Sequence, residues 1–269
     1  TANFTGKQFE LLAEIKRHGF DGVELPLFDP ANCPAGEIRR ALESNALECT
    51  ACTVIPQGMT IFDADASIRR RACQHLEDTV KVLAEIGGKL LAGPVYSPVG
   101  WLPGKRRTTE EWQRAIESYQ QLAEVLEQFD VTLAIEPLNR FETFFLNTVA
   151  DGVALCEAVN HSRIGLLVDT FHSNIEEKNI AAAYRLAGRH LRHVHTCEND
   201  RGTPGSGHIP WPDVLNAVKS VGYDGWLTIE SFGFHLPEIS QAAAIWRDLA
   251  AAPEAIAWEG VRFLKQSLS

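Results

Sequence analysis

Residues 164–169 read Ile-Gly-Leu-Leu-Val-Asp, and His172 follows three residues after the aspartate. An unbroken apolar run of this kind is typical of a strand that is buried on both faces, as strands in parallel sheets are. The run ends abruptly in a carboxylate, so a polar side chain lies at the carboxyl end of a buried strand. This stretch therefore predicts a parallel sheet and points to its carboxyl end as the place of a functional site.

Other apolar runs in the second half of the chain also end in a side chain that can bind a metal. Together with Asp169 they supply three carboxylates and one imidazole in series. A single polar residue at a strand end could cap a helix or form an ion pair, but four in register favour a shared role, because charged groups are rarely buried without a partner. The additional runs are residues 131–135 before Glu136, 191–194 before His195 and 226–229 before Glu230.

Strand-like and helix-like segments alternate along the sequence, with seven predicted strands and eight predicted helices. No Pro/Ser-rich linker interrupts them, which predicts one α/β domain over residues 1–269 with a parallel sheet. The length fits a (β/α)₈ TIM barrel, which commonly takes about 250 residues. The chain opens on a helix, so the first strand of the barrel is missing from its N-terminus. We expect a truncated sequence there, since an open barrel would expose two strand edges.

Composition narrows the class of protein. The net charge of −10 argues against nucleic acid as a partner, because nucleic-acid binding needs a basic face. No apolar run reaches the length of a membrane span, and no signal peptide is visible. Six scattered cysteines fit free thiols in a reducing, cytoplasmic environment better than a disulfide or zinc framework.

In a TIM barrel the active site lies at the carboxyl ends of the strands. We therefore expect Glu136, Asp169, His195 and Glu230 to converge at one side of the barrel mouth. Three neighbouring carboxylates cannot all stay ionised without a cation. Oxygen-rich ligation with one imidazole suits Mn²⁺, Mg²⁺ or Co²⁺, and Mn²⁺ is the metal that we expect. His193, two residues before His195, faces the same interior and is predicted to be hydrogen-bonded one layer below.

Several motifs around these residues resemble the ketose 3-epimerases, that is, the D-tagatose, D-psicose and L-ribulose 3-epimerases, which belong to the xylose-isomerase-like barrels. The resemblance runs from about residue 19 to residue 232 and keeps the order and spacing of the motifs. Family members have a first strand before the opening helix, which this sequence lacks. The motifs are Glu136-Pro-Leu-Asn-Arg-Phe-Glu142, Asp169-Thr-Phe-His172, His193-Val-His195, Asn199-Asp-Arg-Gly202 and Trp226-Leu-Thr-Ile-Glu230-Ser231.

The resemblance implies a metal-dependent isomerase that epimerises a free ketohexose or ketopentose at C3 through a cis-enediolate. It also implies a small-molecule ketose as the ligand and a homodimer or homotetramer as the assembly, and it gives no reason to expect nucleic acid or a membrane as a partner. Residue by residue, it assigns the metal to Glu136, Asp169, His195 and Glu230, and the acid/base chemistry to Glu136 and Glu230. It assigns the O1 to O3 end of the sugar to Glu142, His172 and Arg201, and places Trp101 in a loop that covers the substrate.

The chemistry of C3 inversion fits this assignment. The C3 proton must leave from one face of the sugar and return on the other, which requires two carboxyl groups on opposite sides of a planar enediolate. Glu136 and Glu230 come from the first and last of four adjacent strands. A metal at O2 and O3 would act as a Lewis acid on the carbonyl.

Four alternative functions compete with the epimerase. An aldose–ketose isomerase such as hydroxypyruvate isomerase, or an inosose dehydratase, would use a similar metal site, but Glu142, His172 and Arg201 favour the epimerase. A non-catalytic sugar-binding barrel would not need both Glu136 and Glu230. A DNA endonuclease of this fold would need a multi-histidine zinc cluster and a basic face, which the sequence lacks.

Overall fold

The computed structural model describes residues 4–234, 240–241 and 243–268. Over this part of the chain seven strands pair in parallel, each with the next in sequence, and form a nearly closed TIM barrel. The predicted fold and the predicted number of strands are confirmed. The strands are β1 (Gly22–Pro26), β2 (Glu48–Cys52), β3 (Leu90–Gly93), β4 (Thr132–Ile135), β5 (Ile164–Asp169), β6 (Leu191–His195) and β7 (Leu227–Thr228).

Helices follow the strands and cover the outside of the barrel. Neighbouring helices pack against one another, for example α2 on α3 and α7 on α8. Two short 3₁₀ helices lie at Pro30–Asn32 and Gly188–His190. The α-helices are α1 (Gly6–Arg17), α2 (Ala35–Ser44), α3 (Ala66–Ile86), α4 (Thr109–Gln128), α5 (Val149–Val159), α6 (Thr170–Glu176), α7 (Ile180–Ala187), α8 (Trp211–Ser220) and α9 (Pro253–Leu268).

Aspartates set the N-termini of two helices. Asp169 ends β5 and also caps α6, accepting a hydrogen bond from the Phe171 N–H at 2.7 Å. Asp65 caps α3, and its Oδ1 accepts from the Ser67 N–H at 2.7 Å. An aspartate suits a helix N-terminus because its oxygen accepts from a free backbone N–H and its negative charge is stabilised by the helix dipole.

The interior of the barrel is lined by side chains that alternate along each strand. All six residues of β5 are buried, as predicted for a strand covered on both faces. Ala92, Ala134 and Leu167 pack together inside the barrel. Because side chains two residues apart share a face of a strand, Glu136 and Asp169 point to the same interior as Ala134 and Leu167. Glu136 and Asp169 therefore lie one layer nearer the carboxyl ends of the strands than Ala134 and Leu167, in the barrel mouth.

Among the described residues, no helix is long and apolar enough to cross a membrane.

Candidate metal and sugar site

The four predicted metal ligands come together at the barrel mouth. One donor atom from each of Glu136, Asp169, His195 and Glu230 lies within 4.8 Å of the others. Asp169 and His195 are the last residues of β5 and β6, Glu136 directly follows β4, and Glu230 lies two residues beyond β7. The carboxyl ends of four consecutive strands thus supply the cluster.

The polar atoms of this cluster fit a divalent cation. Glu136 Oε1 and His195 Nδ1 are buried and have no hydrogen-bond partner. Buried polar atoms are normally hydrogen-bonded, so two such atoms at one place call for a further partner. Three carboxylates and one imidazole are the ligands that Mn²⁺, Mg²⁺ and similar ions accept.

The two glutamates of the cluster titrate in opposite directions. Burial raises the pKa of Glu136 well above its ordinary value, and the Glu230 charge raises it further. Burial also acts to raise the pKa of Glu230, but His195 and Arg201 outweigh it and lower that pKa to about 2. In the metal-free protein, Glu136 therefore favours its protonated form and Glu230 its ionised form. Divergent pKa values in neighbouring carboxyls are typical of acid/base pairs.

Asp169 links the cluster to the adjacent loop. Its Oδ2 accepts a hydrogen bond from Arg201 Nη1 at 2.7 Å, while its Oδ1 caps α6. Burial raises the pKa of Asp169 to about 6, although Arg201 opposes the shift.

Arg201 lies among the predicted ligands themselves. Its Nη1 also donates to Glu230 Oε2 at 2.7 Å, and its guanidinium stacks over the Phe171 ring at 4.1 Å. The backbone of Arg201 has φ 68°, a left-handed conformation that costs a non-glycine residue energy and is often found at functional sites. The side chain is 7% exposed, so the positive charge is held in the barrel mouth beside the carboxylates.

His172 and Glu142 are joined through Asn139. The Asn139 amide Nδ2 donates to Glu142 Oε1 at 2.8 Å, and the Asn139 backbone N–H donates to His172 Nδ1 at 3.1 Å. Burial and the Arg201 charge hold the pKa of His172 well below its ordinary value, so the ring is neutral. Both ring nitrogens have a donor beside them, and a neutral imidazole accepts at only one of the two.

His172 Nε2 faces the barrel mouth. It lies 2.9 Å from Arg201 Nη2, which can only donate, and 3.5 Å from Glu136 Oε1. Arg201 Nη2 can donate to Nε2, or to a sugar oxygen that takes the place of this contact. The resemblance assigns both residues to sugar oxygens, and their geometry fits that role.

Trp101 lies in the loop that follows β3, and 37% of it is exposed. Its ring contacts Phe62 and Phe144, with centroid distances of 6.3 and 5.3 Å. The Gly100 N–H donates to the Glu142 carbonyl at 2.7 Å, which ties this loop to the one after β4. The structure therefore joins the Trp101 loop to the loop of a predicted sugar-binding residue.

One residue at the cluster was not predicted. Glu24, on β1, accepts hydrogen bonds from His193 Nε2 and His195 Nε2, both at 2.7 Å. His193 is fully buried, and its prediction as a hydrogen-bonded interior histidine is confirmed. The sequence could have indicated Glu24, because it is a carboxylate inside the run of residues that forms β1, and a buried carboxylate needs a partner.

Comparisons with known proteins agree with this geometry. The xylose isomerase-like TIM barrel family matches residues 12–267. A probable ketose 3-epimerase of Synechocystis sp. is 38% identical over 98% of this chain and 92% of its own. An L-ribulose 3-epimerase of Mesorhizobium japonicum is 33% identical over 94% of this chain and 86% of its own.

Solved structures lead to the same group. The D-allulose 3-epimerase of Methylomonas sp., in complex with D-allulose, superposes with a TM-score of 0.92 at 28% identity and covers 99% of this chain and 92% of its own. The chain therefore belongs to the xylose isomerase-like TIM barrel family and, within it, to the ketose 3-epimerases, a class of sugar isomerases.

Proposed function

We propose that this protein epimerises a free ketose at C3, with Glu136 and Glu230 as the acid/base pair. The observation that carries this proposal is the convergence of two glutamates, Glu136 and Glu230, with Asp169 and His195 in one cluster of metal-binding side chains. Binding alone would not require such a pair. Relatives named D-psicose, L-ribulose and ketose 3-epimerases support the choice of reaction.

The proposed proton transfer follows from the placement of the two carboxyls. One of Glu136 and Glu230 would remove the C3 proton from one face of the sugar. The other, in its protonated form, would deliver a proton to the opposite face, and the roles would exchange in the reverse reaction. Since a carboxylate that also holds a cation is a weak base, the C3 proton must be made more acidic by polarisation of the neighbouring carbonyl.

The sugar oxygens at the reacting end would be held by three side chains. Arg201 Nη2, a donor that lies 2.9 Å from His172 Nε2, would donate to one oxygen that carries developing negative charge, and His172 would bind beside it. Glu142, held by Asn139 at 2.8 Å, offers an acceptor for a hydroxyl. Trp101 would lie over the remainder of the substrate and keep water away from the reaction.

A divalent cation, which we propose to be Mn²⁺, would be held by Glu136, Asp169, His195 and Glu230. When bound, it would supply a Lewis acid that stabilises negative charge on the sugar oxygens. The buried atoms that lack a hydrogen bond, on Glu136 and His195, support this assignment.

Assembly and location are proposed on other grounds. We propose a homodimer or homotetramer, as the resemblance to the ketose 3-epimerases implies, in which exposed apolar side chains such as Phe141 and Trp246 could be covered. Light scattering on the purified protein would measure the assembly. We propose a cytoplasmic location because all six cysteines are free.

The test is isotope exchange at C3. The Mn²⁺-loaded protein would be incubated with D-fructose, D-tagatose or L-ribulose in D₂O and the sugar followed by NMR. We expect deuterium at C3 together with the 3-epimer. Deuterium at C1 with aldose formation would instead identify an aldose–ketose isomerase, and no exchange with any ketose would contradict the proposal.

A further inference from the structure

Glu24 binds residues from the opposite side of the barrel interior. Its Oε1 accepts from His195 Nε2 and its Oε2 from His193 Nε2, both at 2.7 Å. Thr50 Oγ1, on the neighbouring strand, also donates to Oε2, at 2.8 Å. The Glu24 side chain is 9% exposed and the two imidazoles are fully buried. A buried carboxylate thus accepts three hydrogen bonds from fixed donors.

These contacts decide which nitrogen of His195 can bind a cation. The Glu24 carboxylate accepts hydrogen bonds from His193 and Thr50, and it is the acceptor towards His195 as well. His195 Nε2 therefore carries a proton whether the ring is neutral or charged. The other ring nitrogen, Nδ1, lies 3.2 Å from Glu230 Oε2 and is the atom that faces the ligand cluster. A metal binds only a ring nitrogen that offers a lone pair, and a carboxylate on the far nitrogen fixes that choice.

We propose that Glu24 is a positioning residue, which holds the ring of His195 so that Nδ1 faces the cation. His193 fixes the carboxylate in turn by donating to its second oxygen, which gives the buried His193 a role that metal binding does not require. This inference rests on the metal site of the proposed function.

Glu24, His193 and His195 could alternatively hold a second cation, since their donor atoms also lie within 4.8 Å of one another. The two contacts at 2.7 Å satisfy these atoms as hydrogen bonds without an ion. The unpartnered nitrogens are the Nδ1 atoms, on the other side of each ring. The geometry therefore favours positioning over a second site, and the number of ions bound distinguishes the two.

The test compares Glu24→Gln with Thr50→Val by calorimetric titration of Mn²⁺ into protein stripped of metal. Glutamine keeps the shape of the side chain but has only one acceptor oxygen. Because Thr50 and His193 both donate, the amide oxygen should turn towards them, and the amide N–H₂ should then face His195. We expect one Mn²⁺ per wild-type chain and about 10- to 100-fold weaker binding by Glu24→Gln. Thr50→Val removes a donor from the same carboxylate without touching His195 and should bind nearly as wild type.

A second readout separates positioning from general loss of structure. In the Mg²⁺-loaded protein labelled with ¹⁵N-histidine, long-range ¹H–¹⁵N spectra should show wild-type His195 protonated at Nε2, with a low-field proton bonded to a carboxylate. Glu24→Gln should lose that signal, and Glu24→Asp, which keeps the charge, should recover part of the Mn²⁺ affinity.

Two results would overturn the inference alone. One is Mn²⁺ affinity in Glu24→Gln equal to that of wild type, with the His195 signal unchanged. The other is a second Mn²⁺ per wild-type chain that Glu24→Gln lacks. If the wild-type protein bound no Mn²⁺, the inference and the proposed function would fail together.

Discussion

Glu136 is the residue at which catalysis and stability oppose each other. Its carboxyl is buried, one of its oxygens lacks a hydrogen bond, and burial raises its pKa. We predict that Glu136→Gln lowers epimerase activity by at least about 100-fold, the contribution expected of a general acid or base. The same change should stabilise the metal-free protein at neutral pH, because the amide carries no charge. Initial rates with each ketose, and urea unfolding in EDTA, measure the two effects.

The pH dependence of that stabilisation has a definite sign. The folded-state pKa lies above the ordinary value of 4.5, so above pH 4.5 the folded protein binds more protons at Glu136 than the unfolded chain. The stability of the metal-free wild type therefore falls as pH rises from 4.5 towards the folded-state pKa, by at most about 1.4 kcal/mol per pH unit from this group. The stability of Glu136→Gln does not fall in this way, so the difference in the free energy of unfolding between variant and wild type should grow with pH. A difference that shrinks with rising pH would contradict a raised pKa of Glu136.

Individual site residues differed in how well the sequence revealed them. Glu136, Asp169, His195 and Glu230 were predictable because each interrupts or follows an apolar run, and a barrel gathers strand ends in one place. Glu24 was not, since its partner His195 is 171 residues away and meets it only when the barrel places β1 opposite β6.

The buried carboxylate of Glu198 binds several donors of the loop between β6 and α8. Glu198 Oε1 accepts from the Ile209 N–H at 2.8 Å, and Oε2 accepts from the Gly205 N–H and Trp211 Nε1, both at 2.9 Å. Arg201, with its left-handed backbone, lies within this loop. The carboxylate thus fixes the loop that carries the guanidinium into the site.

We predict that Glu198→Gln raises KM for the ketose more than it lowers kcat, because it displaces Arg201 rather than the acid/base pair. The amide N–H₂ would face N–H donors, at a cost of about 1.5 to 3 kcal/mol for a hydrogen bond to a charged group. Steady-state kinetics and urea unfolding measure the two effects. Trp211→Phe removes one donor and leaves the carboxylate, so it should disturb KM less. Unchanged KM in Glu198→Gln would show that Arg201 does not depend on this contact.

Helix boundaries could be predicted where neighbouring residues in the sequence set them, and could not be predicted where tertiary contacts set them. Helix α3 ends at Ile86 because Gly87 follows it with φ 104°, a left-handed conformation that glycine adopts readily and that the sequence signals locally. Helix α6 was not predicted because it begins directly at the end of β5. Asp169 caps α6 with one oxygen and binds Arg201 with the other. Because one residue ends the strand, caps the helix and belongs to the site, the sequence gives no separate sign of the helix.

At the scale of the whole molecule, the barrel gathers negative charge that a cation would relieve. Glu136, Asp169 and Glu230 meet in one mouth with Arg201, in a chain of net charge −10. We predict that Mn²⁺ at 100 times its Kd raises the free energy of unfolding by about 2.7 kcal/mol, since it binds the folded state alone. Thermal unfolding in EDTA and in Mn²⁺ measures this. Asp169→Asn should lose most of the gain, whereas Asp130→Asn, an exposed carboxylate paired with Lys89, should keep it. Equal gains in both variants would place the stabilising ion elsewhere.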